Sequence, residues 1–140
     1  MDISRSKQVL VLLTALVVVG ATAAIAIPAV VSQQTINDAN STHFRVVKTV
    51  VDGFDSGWHI HPGVAIVQVQ QGSLQIYQGS CTPKIVAAGE TYIEIPHEAV
   101  RGVATGRAVW TTTLLTNEND LPTIPLSAYS PERANPCPGT

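Results

Sequence analysis

The segment Val64-Ala65-Ile66-Val67-Gln68-Val69-Gln70, followed by Gln71-Gly72 and then by Ser73-Leu74-Gln75-Ile76-Tyr77, decides the fold class. Successive side chains on a strand point to opposite faces, so its closing Val/Gln alternation sets Ala65, Val67 and Val69 on one face. Gln71-Gly72 is a turn signal, and beyond it Leu74 and Ile76 again share a face. Moving outward, Phe44-Arg45-Val46-Val47-Lys48-Thr49-Val50-Val51 is rich in β-branched residues and stops at Asp52-Gly53. Thr91 to Ile95 and Ala108 to Leu115 read as two further strands. Short runs separated by turn signals at intervals of roughly 8 to 12 residues predict an all-β sandwich or barrel. Helical periodicity is absent from every window after the N-terminal segment, and there is no internal repeat.

The N-terminal segment, residues 1–31, has a different texture. Arg5 and Lys7 precede an apolar run from Val9 to Gly20 broken only by Thr14, and Ala21-Thr22-Ala23 and Ala24-Ile25-Ala26 both fit a small-x-small cleavage pattern. A retained membrane anchor is the alternative, because Val9 to Val31 carries no charge and is long enough to cross a bilayer core of ~30 Å as a helix. Pro28 and the cluster of small residues favour cleavage. Either way the positive charge stays inside and the rest of the chain is expected outside the cytoplasm, secreted or anchored through this segment alone. Ser32 to Thr42 is polar and reads as a linker, residues 43–116 as the β domain, and 117–140 as a Pro-rich tail lying over it. Pro122, Pro125, Pro131, Pro136 and Pro138 disfavour regular structure in that tail.

Only 13% of the residues are charged and the net charge is -2, which leaves no basic field for nucleic acid. Two cysteines in an exported domain are expected to pair, so Cys81 is expected to bond Cys137 and anchor the tail.

The strongest local signal for chemistry is Gly57-Trp58-His59-Ile60-His61-Pro62-Gly63. Two histidines at i and i+2 of an extended segment point to the same side, which is a common beginning of a transition-metal site. Both are expected to face the barrel interior with Ala65, with Ile60 facing away. Trp58 and Trp110 read as core or pocket-wall aromatics, and Tyr77 and Tyr92 as outer sheet surface. Glu90 and Glu94 read as solvent-facing charges, and Asp52 and Asp55 as turn residues. No Ser-His-Asp order, phosphate loop or close carboxylate pair stands out.

In this setting the sequence resembles the cupin superfamily, and among its members small secreted cupins of actinobacterial type. Gly53, His59, His61 and Gly72 fall at the separations of the family's first motif, although Ala65 stands where its glutamate ligand belongs. Gly89 and Pro96 fit the second motif loosely, with Glu98 in place of a glycine and Arg101 in place of the last histidine. Cys81-Thr82-Pro83 and Asn135-Pro136-Cys137 match segments of the secreted members. The resemblance implies a single antiparallel cupin-type β-barrel, or jelly roll, with a pocket lined by His59, His61, Arg101 and Trp58. It allows a homodimer. Two of the four usual metal ligands are missing, and a guanidinium at position 101 would repel a cation and favour a carboxylate. Two functions therefore stand side by side. One is a barrel that binds a small molecule without turnover. The other is a metal-dependent enzyme, of dioxygenase or isomerase type, that holds zinc, manganese, iron or nickel on His59, His61 and His97, with His97 or Glu98 replacing the missing donors.

Overall fold

A computed structural model describes residues 29–37, 42–117, 119–130 and 135–138. Nine strands follow one another along the chain: β1 (Ala29–Asn37), β2 (Thr42–Asp55), β3 (His59–Ile60), β4 (Val64–Gln71), β5 (Ser73–Gln78), β6 (Lys84–Ala87), β7 (Thr91–Glu94), β8 (Val100–Asn117) and β9 (Ile124–Pro125). One turn of helix, α1 (Leu126–Tyr129), comes last. Every pairing is antiparallel. The all-β expectation holds, and each strand read from the sequence is present.

The long strand β8 is the seam of the barrel. Over its C-terminal half it pairs with β2 on one edge and β4 on the other, and at its start it pairs with β3 and β5. The β4–β7 pair and the β5–β6 hairpin complete the two walls. The inward faces meet in a core of Val51, Val67, Val69, Leu74, Ile76, Val86, Val100, Ala104, Ala108 and Trp110. Full burial of one such side chain stabilises by roughly 1.5–3 kcal/mol. Phe54 packs on Trp110 with ring centroids 5.1 Å apart, a tilted contact suited to the ring quadrupoles.

Two glycines are required by geometry. Gly53, at φ 84°, sits where the β2–β8 register shifts between Asp52 and Phe54, and only glycine enters that region without strain. At Gly63, a Cβ would collide with the Leu115 carbonyl on β8, so the chain entering β4 can pass this close only without a side chain.

Two segments differ from the sequence reading. Ser32 to Asn37 belongs to β1, paired with β2, rather than to a linker. Residues 31–36 are exposed, so no apolar alternation marks them as a strand, and the backbone ladder carries the pairing. Within the tail, β9 pairs with β3 and α1 buries Leu126, despite the prolines. The tail is nevertheless tied down as expected, by a disulfide between Cys81 and Cys137. The hydrophobic leader lies outside the described residues except for Ala29 to Val31, which begin β1. Among the described residues no helix is long and apolar enough to cross a membrane.

Candidate metal centre

β3 is only two residues long, held between Val100 of β8 and Pro125 of β9. The i, i+2 spacing then puts the imidazoles of His59 and His61 on the inner side, both buried. Ile60 points the other way yet is only 1% exposed; the tail runs beside β3, with β9 paired to it and the Leu126 N–H of α1 donating to the Trp58 carbonyl.

The third member of the site is Glu94, the last residue of β7. It is 6% exposed, not solvent-facing. The alternation in β7 runs opposite to what its composition suggests: Ile93 is 60% exposed, while Tyr92 packs on the core and Glu94 turns inward. The reason lies in the register. Glu94 stands directly across from Ala65 in the β4–β7 ladder, and directly opposed residues of an antiparallel pair share a face at a Cβ spacing of about 4.5–5.5 Å. The small Ala65, itself fully buried, leaves room that the carboxylate of its cross-strand neighbour fills. The carboxylate that the resemblance expects at position 65 has a counterpart one strand away, on Glu94.

The donor atoms of His59, His61 and Glu94 lie within 4.8 Å of one another. His59 Nε2 is 3.1 Å from His61 Nε2, and His61 Nε2 is 3.0 Å from Glu94 Oε2. Both Nδ1 atoms face backbone carbonyls, His59 toward Gly57 O at 2.9 Å and His61 toward Pro122 O at 2.6 Å. A carbonyl only accepts, so each Nδ1 carries the proton and each neutral imidazole turns its Nε2 lone pair to the centre. Two lone pairs and a carboxylate oxygen then converge without a donor between them. Glu94 Oε2 is buried and has no hydrogen-bond partner unless a proton sits on His61 Nε2.

Without a metal, one proton resolves this conflict. Burial by itself would lower the pKa of His61, but the Glu94 carboxylate and the Pro122 carbonyl outweigh it and raise it above the ordinary histidine value. Burial dominates at His59 and lowers its pKa, so that ring stays neutral. A divalent cation fits the same place. With Zn–N bonds of 2.0–2.1 Å, tetrahedral ligand atoms sit about 3.3 Å apart, close to the two separations found. Two histidines and one carboxylate, each histidine locked through its other nitrogen by a backbone carbonyl, form a donor set known for zinc and for non-haem iron.

The remaining residues expected at the site lie elsewhere. His97 is exposed, at φ 61°, and meets the site only through its backbone N–H, which donates to the His61 carbonyl. Glu98 lines a separate cavity of about 300 Å³ beside the disulfide. Trp58 lines that second cavity too, with its indole N–H buried and unpartnered among the described residues, and it meets Tyr77 edge-on at 6.2 Å. One residue along a strand reverses the face, so Trp58 and His59 point apart. Arg101 does not enter the pocket. Its Nε and Nη2 donate to the two Asp55 oxygens at 2.9 and 2.7 Å, and this pairing holds the Asp55 carboxyl below its usual pKa. Asp55 in turn accepts from the Gly57 N–H, which steadies the turn whose carbonyl orients His59.

The three candidate ligands line one side of a cavity of about 500 Å³ inside the barrel. Its walls are mostly apolar, from Val47, Val67, Leu74, Ile76, Trp110 and Leu114, a composition and size usual for small-molecule pockets.

No protein-family model matches the chain, and no curated protein matches it significantly. Similar solved structures include the DMSP lyase DddQ from Ruegeria pomeroyi, at TM-score 0.53 and 10% identity over 69% of this chain and 52% of that one. A cupin-2 domain protein from Shewanella frigidimarina aligns at TM-score 0.46 and 24% identity, over 61% and 80% of the two chains. A protein with a double-stranded β-helix domain from Klebsiella pneumoniae aligns at TM-score 0.49 and 18% identity, over 67% and 75%. At such identities the likeness concerns the fold alone.

Proposed function

We propose that this chain is an exported barrel of the cupin superfamily that holds one divalent metal ion on His59, His61 and Glu94 and presents it to a small molecule in the adjoining cavity. The observation that carries this reading is the convergence of two Nε2 lone pairs and one buried carboxylate, with both Nδ1 protons committed to backbone carbonyls. Three protein ligands leave coordination positions open, so the ion supplies a Lewis acid or, if iron, a redox centre. The protein's own part is to fix the donor atoms, exclude bulk water with apolar walls and orient the ligand. Export agrees with the disulfide.

An enzymatic role of oxygenase or isomerase type is the second reading. It is favoured by the two-histidine, one-carboxylate donor set, which suits non-haem iron chemistry. The test begins with metal analysis of the purified protein, prepared without chelators. About one equivalent of a transition metal is expected in the wild type, falling to background in His59→Ala and Glu94→Ala. A wild type that neither carries metal nor binds added zinc, manganese, iron or nickel would refute the proposal.

A further inference from the structure

Resting on that reading, we infer that the cavity takes an elongated, largely apolar monocarboxylate whose anionic group is held by Arg45, with the rest of the molecule reaching toward the metal centre. The argument starts from register. Arg45 of β2 pairs with Leu114 of β8, Leu114 pairs with Ala65 of β4, and Ala65 pairs with Glu94 of β7. Directly opposed residues share a face, so these four side chains form one row across the inner surface. The row reads cation, apolar, apolar, metal ligand. Three inter-strand steps of about 4.8 Å separate the backbones of Arg45 and Glu94 by roughly 14 Å along the sheet.

Charge accounting singles out Arg45. The ionisable residues lining the cavity are Arg45, Asp55, His59, His61 and Glu94. Asp55 is engaged by Arg101, and the other three engage one another. Arg45 is half-buried, and no hydrogen bond or ion pair is formed by its side chain among the described residues. A guanidinium kept partly out of water beside apolar walls forgoes solvation that an anion would restore, and its planar fork matches a carboxylate bidentately. One uncommitted cation argues for one negative charge, and Leu114 and Ala65 between the two ends, with Val47 and Val67 in the next row, argue for hydrocarbon rather than sugar or polyphosphate.

The experiment titrates the purified protein with octanoate and with octanol, in zinc-free and zinc-loaded samples, by calorimetry. Zinc content, measured separately on each sample, reports the metal site independently. In the wild type octanoate is expected to bind at least about tenfold tighter than octanol, with or without zinc. Arg45→Gln should remove that preference and Arg45→Lys should keep part of it, since charge survives while the fork is lost. A preference that appears only with zinc, or that survives in Arg45→Gln, would mean the carboxylate is held by the metal, and the inference falls. It falls as well if neither compound binds at millimolar concentration. Loss of zinc binding with the Arg45-dependent preference intact would instead sink the metal-site proposal and leave this one standing.

Discussion

Moving the carboxylate from Glu94 to position 65 tests the reasoning on which the metal centre rests. The two residues face each other in the β4–β7 ladder, so Glu94→Ala, Ala65→Glu and the double exchange form a closed cycle. In Glu94→Ala the site loses a direct ligand. Loss of even an outer-shell partner costs 10- to 100-fold in metal affinity, so a fall of at least about 100-fold in zinc affinity, some 2.7 kcal/mol, is expected. Ala65→Glu alone should not strengthen binding. Ala65 has no exposed surface, and a second carboxylate there adds overpacking of about 1–3 kcal/mol to the cost of a buried like charge beside Glu94. The apo protein should therefore melt well below wild type. In the double exchange the incoming glutamate enters space that Glu94 has vacated. The two changes should compensate by at least about 1.5 kcal/mol in stability, and zinc affinity should return to within roughly tenfold of wild type. Thermal melts of the metal-free proteins and calorimetric zinc titrations supply both numbers. If Ala65→Glu by itself binds zinc more tightly than wild type, or Glu94→Ala loses nothing, then Glu94 is not the ligand and the cross-strand argument is wrong.

The histidines give the metal-free protein a stability maximum near pH 6.5. The lowered pKa of His59 makes stability fall as pH drops below the ordinary histidine value, where the unfolded chain alone takes up the proton. The raised pKa of His61 makes it fall as pH climbs above that value, because the folded chain alone keeps its proton there. Each flank can reach about 1.4 kcal/mol per pH unit. Melts between pH 5 and 8.5 check this, and a monotonic rise through neutrality would contradict it. Replacing Cys81 and Cys137 by serine opens a loop spanning 56 residues, and the chain-entropy relation gives a loss of about 4 kcal/mol in denaturant unfolding. Zinc affinity should weaken with it, since the same tail carries the Pro122 carbonyl that orients His61; unchanged stability would show that β9 and α1 hold the tail unaided. Finally, Arg101→His should alter zinc affinity less than about tenfold, because Arg101 is paired with Asp55 in the turn before His59 rather than with the three candidate ligands. A large gain would place position 101 in the site after all.

The sequence by itself determined β2, β4, β5, β7 and the C-terminal part of β8, the turns between them, and the inward pair His59 and His61; the pairing of Cys81 with Cys137 followed from the expected oxidising compartment. The strands, turns and histidine pair follow from period-two alternation, β-branched composition, Gly-bearing turns and i, i+2 spacing, all of which act within a few residues. What only the tertiary structure decided is which distant groups meet that pair. Glu94 reads as a solvent-facing charge, yet it is buried while the apolar Ile93 and Ile95 beside it are exposed. A strand's two faces are chosen by the ladder it joins, not by its own composition, and the β4–β7 register set Glu94 against Ala65. Arg101, which the resemblance alone would set at a ligand's place, is drawn to Asp55, because a guanidinium in reach of a carboxylate at the surface has no reason to enter an apolar pocket. The Pro122 carbonyl left no sequence signal at all, since any residue there would offer the same oxygen. Local physics wrote the scaffold and half of the site, and the long-range pairing of β7 and the tail with it supplied the rest.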